Sequence, residues 1–306
     1  MGRGQWPPAA SSSLTGLRAV WIRYHARRNI LVSPRGHPYD RGAFGAALDG
    51  IAKTRPDLTW TQVDHPALER VLHPEAVRDY AAILFYDLPG IELAAPNGPV
   101  LHEPSPVFRA HFESLLESGV PMIFLHHAIC GWPTWSRYAE VIGGRYLYLP
   151  SLIDGELHPD SGYVHDVRHR LETVTPHPVT AGLESGFELT GELYLYEVVA
   201  TDIVPLLRCP DYRFDREHFY SSALALHGRR NARDGWHPNP GSDLLAWARH
   251  EKASPIVYLQ PGHDGATFSD PNFRRLLGNA IDWVTSPEAA ARARSPGRSG
   301  AVTPKH

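Results

Sequence analysis

The sequence has few cysteines, no long apolar run and no excess of basic charge. Two cysteines, Cys130 and Cys209, are too few for a disulfide framework, and no Cys-x-x-Cys zinc pattern occurs. No stretch approaches the ~18 apolar residues of a membrane span, and the N-terminus lacks the apolar core of a signal peptide. The 30 basic residues against 33 acidic ones argue against nucleic acid as the main ligand. We therefore expect a cytoplasmic protein that binds neither nucleic acid nor a membrane.

Several catalytic motifs are also absent. There is no G-x-G-x-x-G after the first predicted strand, no G-x-x-x-x-G-K-[ST], no H-E-x-x-H and no G-x-S-x-G. Rossmann-type hydride transfer, nucleotide hydrolysis and lipase-type acyl transfer thus lose their usual sequence support. Histidine, in contrast, is abundant, with 18 among 306 residues. The candidates for chemistry are therefore histidines and the acids near them.

The pattern of apolar residues predicts one α/β domain over residues 17–285. Residues 1–16 and 286–306 are rich in Ser, Pro, Gly, Ala and Arg without an apolar period, and we predict that both are disordered tails. Between them, short apolar runs alternate with amphipathic segments, which indicates a sheet with helices packed on it. Residues 213–243 have no clear period, and we predict an irregular insertion there.

The predicted strands are one that ends near Leu31–Val32, then Thr59–Val63, Ala81–Tyr86, Val120–Leu125, Val164–Thr175, Phe187–Val198 and Ile256–Leu259. The predicted helices are Arg41–Lys53 with Asp40 as N-cap, Ser105–Gly119 and Pro271–Trp283, and we predict a short helix or turn over Pro66–Leu72. A long helix between two buried strands implies a right-handed parallel crossover. The central sheet is therefore expected to be mainly parallel.

Polar side chains follow several of the predicted strands. These are His37, Asp87, the pair His126 and His127, and His263 with Asp264. Ligands of open parallel sheets bind beyond the carboxyl ends of the strands, so we expect at least two of these histidines to line one pocket. Neighbouring strand residues point to opposite sides, and we therefore expect only one of the histidine pair to face it.

Other candidates carry weaker signals. Glu192 lies in an apolar, β-prone stretch, where it is either a buried carboxylate, which would need a cation, a metal or a histidine beside it, or a strand-edge residue that faces water. His165 and His169 would share one face of a strand, and a solvated face is the favoured interpretation. Trp132 and Trp135 offer rings that suit a sugar, although tryptophans also pack cores. Cys130 is not at a strand-to-helix elbow, and we expect a buried free thiol.

Several short blocks occur together along the chain, in the order Leu125-His126-His127-Ala128, Gly131-Trp132-Pro133, Ile142-Gly143-Gly144-Arg145, His177-Pro178-Val179-Thr180-Ala181-Gly182-Leu183, Glu192-Leu193-Tyr194, Gly262-His263-Asp264 and Ile281-Asp282-Trp283. As a set spread over residues 18–285, they resemble the ThuA family, named for trehalose utilisation. One position departs from the family pattern, because Gly191 stands where ThuA-like sequences often have Asp.

The resemblance implies a class I glutamine amidotransferase-like fold, a flavodoxin-like three-layer α/β/α sandwich with a mainly parallel central sheet. Amidotransferases of this fold carry a nucleophilic cysteine at the elbow after a central strand. His126 and His127 stand in that region here, so glutaminase activity is not expected. The resemblance also implies a role in the catabolism of trehalose and related disaccharides, beside an oxidoreductase that makes 3-keto sugars.

We therefore predict an enzyme of carbohydrate metabolism, an isomerase, lyase or hydrolase that acts on a disaccharide, glycoside or keto-sugar by His/Glu acid–base or metal-assisted chemistry. Its predicted catalytic residues are His127, His126, Glu192 and His263. The predicted substrate-binding residues are His37, Asp87, Trp132, Trp135, Tyr194 and Asp264. A divalent metal such as zinc is a candidate cofactor, with His37, His127, Glu192 and His263 as its hypothetical ligands.

Two alternatives remain open at this point. The chain would be a non-catalytic sugar-binding or regulatory protein if the degenerate amidotransferase fold had kept its pocket and lost the reaction. A working amidotransferase would require Cys130 to be reactive. The expected partners are a small sugar or glycoside, an oxidoreductase of the same pathway and, because dimers are the commonest oligomers, a second copy of the chain.

Overall fold

Strands and helices are described over residues 28–293, apart from residues 94 and 97, in a computed structural model. The strands are β1 (Arg28–Ser33), β2 (Leu58–Gln62), β3 (Ala82–Phe85), β4 (Ile91–Glu92), β5 (Val100–Leu101), β6 (Met122–Leu125), β7 (Gly144–Arg145), β8 (Ser151–Ile153), β9 (Glu156–His158), β10 (Gly162–Thr173), β11 (Phe187–Leu195), β12 (Glu197–Val198), β13 (Val204–Arg208), β14 (Tyr220–Ser221), β15 (Leu244–Glu251) and β16 (Ser254–Leu259).

The helices are α1 (Arg41–Lys53), α2 (Ala67–Val71), α3 (Pro74–Val77), α4 (Pro106–Glu117), α5 (Ser136–Ile142), α6 (Ser222–Leu226), α7 (Gly265–Ser269), α8 (Pro271–Val284) and α9 (Pro287–Ala293). Two 3-10 turns, His126–Cys130 and Pro178–Thr180, complete the described elements. No helix in this part of the chain is long and apolar enough to cross a bilayer.

Ten of the described strands form one mixed sheet. Its order is β11-β10-β13-β15-β16-β6-β3-β1-β2, and β14 pairs with β10. The five strands from β16 to β2 are parallel, with Leu31 opposite Ile83 and Phe124 opposite Tyr258. The strands from β10 to β16 in this order pair antiparallel. The predicted mainly parallel centre is confirmed.

Helices cover both faces of the parallel strands, which confirms the three-layer α/β/α architecture. Alternate strand residues contribute to two separate cores, so Ile30 belongs to one and Leu31 to the other. Phe44 of α1 and Leu277 of α8 pack into the first core, and Phe112 of α4 packs into the second. Each layer therefore buries one apolar helix stripe against the sheet.

The caps of two helices are formed as the sequence predicts. The Asp40 carboxylate accepts a hydrogen bond from Ala43 N at 2.9 Å, and the Ser105 hydroxyl accepts one from Phe108 N at 3.1 Å. These bonds satisfy backbone donors that a first helical turn leaves free. Local contacts therefore fix where α1 begins, in the connection after β1, and where α4 begins, in the connection before β6.

Two strands of the antiparallel half are not predicted from the sequence. β13 contains Pro205, which disfavours a central strand, and β15 lacks the alternation of a half-buried strand. Some described elements lie in segments to which the sequence assigns none. β14 and α6 lie within residues 213–243, and α9 lies within the predicted C-terminal tail. The remaining tail predictions, residues 1–16 and 294–306, lie outside the described residues.

Candidate active site

The candidate site lies where the carboxyl ends of the parallel strands meet the antiparallel half of the sheet. His126 directly follows β6, and His263 follows β16 by four residues. Glu192 comes from β11, which stands at the far end of the sheet order. The side-chain amide of Gln260 nevertheless donates to the carbonyl oxygen of Glu192 at 2.9 Å. The antiparallel strands therefore curl back over the ends of the parallel ones.

Four polar side chains converge at this place, and we name them the Glu192 cluster: Glu192, His126, His263 and Tyr194. Glu192 Oε2 lies 3.0 Å from His126 Nε2 and 2.7 Å from His263 Nδ1. His126 Nε2 also lies 3.3 Å from His263 Nδ1 and 3.0 Å from the Tyr194 hydroxyl. His126 Nδ1 faces the carbonyl oxygen of Gln260 at 2.6 Å. The predicted convergence of Glu192 with histidine is present.

Burial and ion pairing act in opposite directions on the cluster. Burial alone would raise the pKa of Glu192, but hydrogen bonds with His126 and His263 outweigh it and hold that pKa well below its usual range. Burial lowers the pKa of His126 despite its bond to Glu192. Burial also acts to lower the pKa of His263, but Glu192, Asp264 and Asp166 outweigh it and raise that pKa. The carboxylate is therefore ionised at neutral pH.

The backbone places His126 in an unusual conformation. Its φ is 50°, in the left-handed region, at the turn from β6 into the 3-10 segment. This is the kind of sharp turn that presents a nucleophile in hydrolases, but the side chain here is an imidazole. Gly262 packs against the same turn, and a Cβ on it would meet Leu125 Cδ1 at 3.1 Å and His126 Cβ at 3.4 Å. A glycine therefore permits the close approach of the β16 loop to His126.

His127 lies beside the Glu192 cluster, with its ring centroid 5.5 Å from that of His126, and packs against His37. Its Nε2 donates to the carbonyl oxygen of Tyr86 at 2.9 Å, and its ring centroid lies 4.8 Å from that of His37. His37 is half-buried, with Nδ1 donating to the Pro38 carbonyl oxygen and its ring centroid 6.1 Å from that of His263. Burial lowers the pKa of both His127 and His37. The two adjacent histidines bond to different partners although they lie in a 3-10 segment and not in the continued strand that the prediction assumed, and His126 is the one at Glu192.

His165 is a site residue that the sequence analysis assigns to a solvated face. A β-bulge between Val164 and Val167, with φ of 57° at Asp166, interrupts β10. The bulge separates His165 from His169, which is buried with Nδ1 bonded to the Val167 carbonyl oxygen. His165 instead lies with its ring centroid 4.9 Å from that of His263 and its Nδ1 3.6 Å from Glu192 Oε1. A bulge has no sequence signal that the four-residue spacing could reveal.

Asp87 belongs to a second, separate group, which we name the Asp87 cluster: Asp87, His65 and Ser33. Asp87 is fully buried, and its Oδ2 lies 2.9 Å from both the Ser33 hydroxyl and His65 Nε2. His65 Nδ1 faces Glu69 Oε1 at 3.5 Å. Burial acts to lower the pKa of His65, but the two acids outweigh it and raise that pKa. The substrate-binding role predicted for Asp87 is not supported by this enclosed position.

Three further predicted residues have structural surroundings. Trp132 and Trp135 are 5% and 8% exposed and pack against Phe108, so both rings belong to the core rather than to a sugar pocket. The Asp264 carboxylate accepts a hydrogen bond from Thr267 N at 2.8 Å and caps α7. The apolar character that makes a tryptophan suitable for a sugar also makes it a core residue, and the sequence cannot separate the two.

Cys130 is enclosed in the core. The residue is 1% exposed, and burial raises the pKa of its thiol well above the usual range. A thiol in such surroundings is a poor nucleophile, because only the thiolate attacks. Cys130 is thus a core residue, and His126 is the residue at the turn after β6.

Metal-ligating atoms also converge in the Glu192 cluster. Within the described residues, one ligand atom each from His126, Glu192 and His263 lie within 4.8 Å of one another, and this is the group with metal-ligand geometry. The predicted set included His37 and His127 in place of His126. The bond from His127 Nε2 to the Tyr86 carbonyl oxygen directs that ring elsewhere.

Residues 39–284 match the family model of ThuA, described as trehalose utilisation. No curated protein matches the sequence. Among solved structures, a ThuA-like protein from Parabacteroides merdae aligns with a TM-score of 0.58 and 14% identity, over 85% of this chain and 90% of that one. A ThuA-like protein from Bacteroides uniformis aligns with a TM-score of 0.54 and 18% identity, over 85% and 92%. At these identities the likeness shows the fold.

Proposed function

This chain belongs to the ThuA family, described as trehalose utilisation, and on that premise we propose that it is an enzyme that moves protons on a sugar at the Glu192 cluster. The substrate classes are a disaccharide, a glycoside or a keto-sugar. The observation that carries the proposal is an ionised, nearly buried carboxylate that faces several histidine rings at the open side of the sheet. The side chains of Glu192, His263 and His165 are 6%, 24% and 44% exposed, so a ligand can approach through His165 and His263.

His37 is the proposed base. Its Nδ1 donates to the Pro38 carbonyl oxygen, which leaves Nε2 of the neutral ring as a free acceptor. The ring is held by His127 at 4.8 Å and stands beside His263. Burial lowers the pKa of His37, which favours the neutral form that accepts a proton. Its partner groups, His263 and His165, present N–H donors to an oxygen of the same ligand.

A keto-sugar gives these residues a reaction that needs no further reactant. His37 would take the proton from the carbon beside the carbonyl group, and the charge that forms on the carbonyl oxygen would face the N–H groups of His263 and His165. Return of that proton to the former carbonyl carbon, with passage of the hydroxyl proton from the neighbouring carbon's oxygen to the former carbonyl oxygen, completes an isomerisation. Departure of the glycosidic oxygen as an alcohol, with the same proton, completes an elimination. An oxidoreductase that forms the keto group would act before this step.

The test is proton exchange in deuterated water. Trehalose, related disaccharides and their 3-keto derivatives are incubated with the protein, and NMR follows deuterium entering the carbon beside the carbonyl group. We expect exchange or product formation, and we expect His37→Gln to lower the rate by about 10²–10⁴-fold, the usual worth of a general base.

The matched control is His102→Gln, because the His102 side chain is 52% exposed and pairs with Glu92. It should keep the wild-type rate. Saturable sugar binding by calorimetry without exchange or product for any compound would contradict the proposal and favour a non-catalytic sugar-binding protein. Equal loss of rate in His37→Gln and His102→Gln would remove His37 as the base.

A further inference from the structure

The Glu192 cluster brings one ligand atom from each of three side chains within 4.8 Å of one another, and the Tyr194 hydroxyl lies 3.0 Å from His126 Nε2. We propose that His126 Nε2, His263 Nδ1 and Glu192 Oε2 bind a divalent first-row transition metal ion, with the Tyr194 hydroxyl beside it. The three ligand atoms are separated by 2.7, 3.0 and 3.3 Å. This inference concerns the same residues as the proposed function but does not depend on the reaction.

Proton sharing accounts poorly for the convergence. His126 Nδ1 faces a carbonyl oxygen, which only accepts, so that nitrogen carries a proton. His126 Nε2 has three polar neighbours, Glu192 Oε2 at 3.0 Å, the Tyr194 hydroxyl at 3.0 Å and His263 Nδ1 at 3.3 Å, and one ring nitrogen cannot satisfy all three through a single proton or lone pair. A cation bound to Nε2, Oε2 and Nδ1 would satisfy all three ligand atoms at once.

The surroundings of His126 are those of a metal ligand. Ligating histidines nearly always donate their second ring N–H to a carboxylate or a backbone carbonyl, which fixes the tautomer and the ring orientation. The Gln260 carbonyl oxygen has that position at 2.6 Å from Nδ1. Gln260 further donates its side-chain amide to the Glu192 carbonyl oxygen, so one residue orients two of the three ligands.

The ligand set also indicates the class of metal. Two imidazoles and one carboxylate form the His2Glu set of catalytic zinc sites and of non-haem Fe(II) sites, in which the remaining positions stay open. The inner side of the cluster is closed, because the His126 side chain is 0% exposed. The outer side is reached past His263 and His165, so an additional ligand would enter there. A structural site would have been enclosed on all sides.

The experiment measures metal directly. Protein purified without chelator from medium containing zinc, manganese and iron is analysed by inductively coupled plasma mass spectrometry. After the metal has been removed, Co²⁺ is titrated and its visible absorption recorded. We expect about one metal ion per chain, as a His2Glu site requires, and saturable absorption by Co²⁺.

The adjacent histidines provide a matched pair of variants. We expect His126→Asn to weaken Co²⁺ binding by more than the about 10–100-fold that changes around a metal site produce, and His127→Asn to retain it. Glu192→Gln and His263→Asn should also lose the ion, and His263 is 24% exposed, so this variant is the least demanding for folding. Far-UV circular dichroism checks that each variant is folded.

Negligible metal content in wild-type protein together with no saturable Co²⁺ absorption would overturn the inference. Retention of Co²⁺ by folded Glu192→Gln and His263→Asn, or its loss from folded His127→Asn alone, would overturn it as well. The two proposals fail separately. Sugar turnover by a protein that binds no metal would overturn the metal site and support the proposed enzyme. A protein that binds metal but shows neither turnover nor exchange would support the metal site and overturn the proposed enzyme.

Discussion

The Glu192 and Asp87 clusters both pair a buried carboxylate with histidine, but they differ in how the histidines are arranged. In the Asp87 cluster, each nitrogen of His65 faces a different carboxylate, Asp87 at 2.9 Å and Glu69 at 3.5 Å. In the Glu192 cluster, two histidines direct nitrogens at the same carboxylate oxygen.

The two clusters also differ in access. Asp87 is 0% exposed and packs among core residues, whereas the histidines around Glu192 become more exposed outward. A histidine between two acids has a structural role, because each of its two N–H groups faces one carboxylate and its positive charge offsets their negative charge. Several histidines around one carboxylate, at an edge that solvent reaches, allow a ligand to approach that carboxylate. The number of histidines per carboxylate oxygen, one at Asp87 and two at Glu192, and the access from solvent thus distinguish the two clusters.

Replacing the carboxylate by an amide at Glu192 should have the largest effect on function. We expect Glu192→Gln to lower kcat on the active sugar by about 10²–10⁴-fold, because the amide neither anchors His263 nor carries the charge that orients the cluster. The free energy of unfolding should change less than in Asp87→Asn, since His263 can release its proton to solvent. Steady-state kinetics and urea unfolding measure both quantities. Full activity in Glu192→Gln would break the comparison.

The same replacement at Asp87 should affect stability and spare function. We expect Asp87→Asn to lower the free energy of unfolding by about 3 kcal/mol, because it removes the buried negative charge that faces His65 and replaces one acceptor oxygen by an NH2 donor. Turnover and metal content should stay close to those of the wild type. Urea unfolding with far-UV circular dichroism gives the first quantity. A loss of turnover without a loss of stability would return Asp87 to the substrate site.

The pH dependence of stability provides a smaller effect that isolates His65. A pKa raised on folding gives stability that is fully present below the unfolded value of 6.5 and is lost as pH rises through the folded value. We therefore expect the difference in unfolding free energy between wild type and His65→Gln to shrink as pH rises above 6.5. Denaturant unfolding across this range measures it. A difference that grows with pH would show that His65 is neutral beside Asp87 and Glu69.

Much of the parallel half follows from local sequence. The apolar run at β6 and the caps of α1 and α4 are short-range features, and each is found where the pattern predicts it. The clustering of His126 and His263 follows from the rule for the ends of parallel strands.

The rest depends on contacts between distant segments. Glu192 reaches His126 because the antiparallel half curls over the sheet, and His165 reaches Glu192 through the bulge at Val164/Val167. His65 lies on a connection that carries no catalytic pattern, and only the fold places it beside Asp87. These positions depend on tertiary packing and register, which residue types and spacing do not encode locally.

The smallest expected effect concerns Gly191, where ThuA-like sequences often have Asp. Neighbouring residues in a strand point to opposite faces, so a side chain at 191 faces away from the Glu192 carboxylate. A Cβ there would lie 3.3 Å from Thr267 Oγ1, which a small shift of that hydroxyl relieves. We expect Gly191→Ala to change the free energy of unfolding by less than about 1 kcal/mol, since the loss of chain entropy on folding becomes smaller while the contact becomes tighter.

Turnover and Co²⁺ binding in Gly191→Ala should equal those of the wild type, because the Glu192 cluster needs one carboxylate and that carboxylate is unaffected. The same measurements on Gly191→Asp test whether an acid next to Glu192, which ThuA-like sequences often have, affects turnover. A several-fold gain in turnover with unchanged Co²⁺ binding would mean that the acid acts on the substrate from the α7 side. Unchanged turnover and Co²⁺ binding in both variants would mean that Glu192 functions without a second acid beside it. Its access to solvent would then be the property that distinguishes it from the enclosed Asp87.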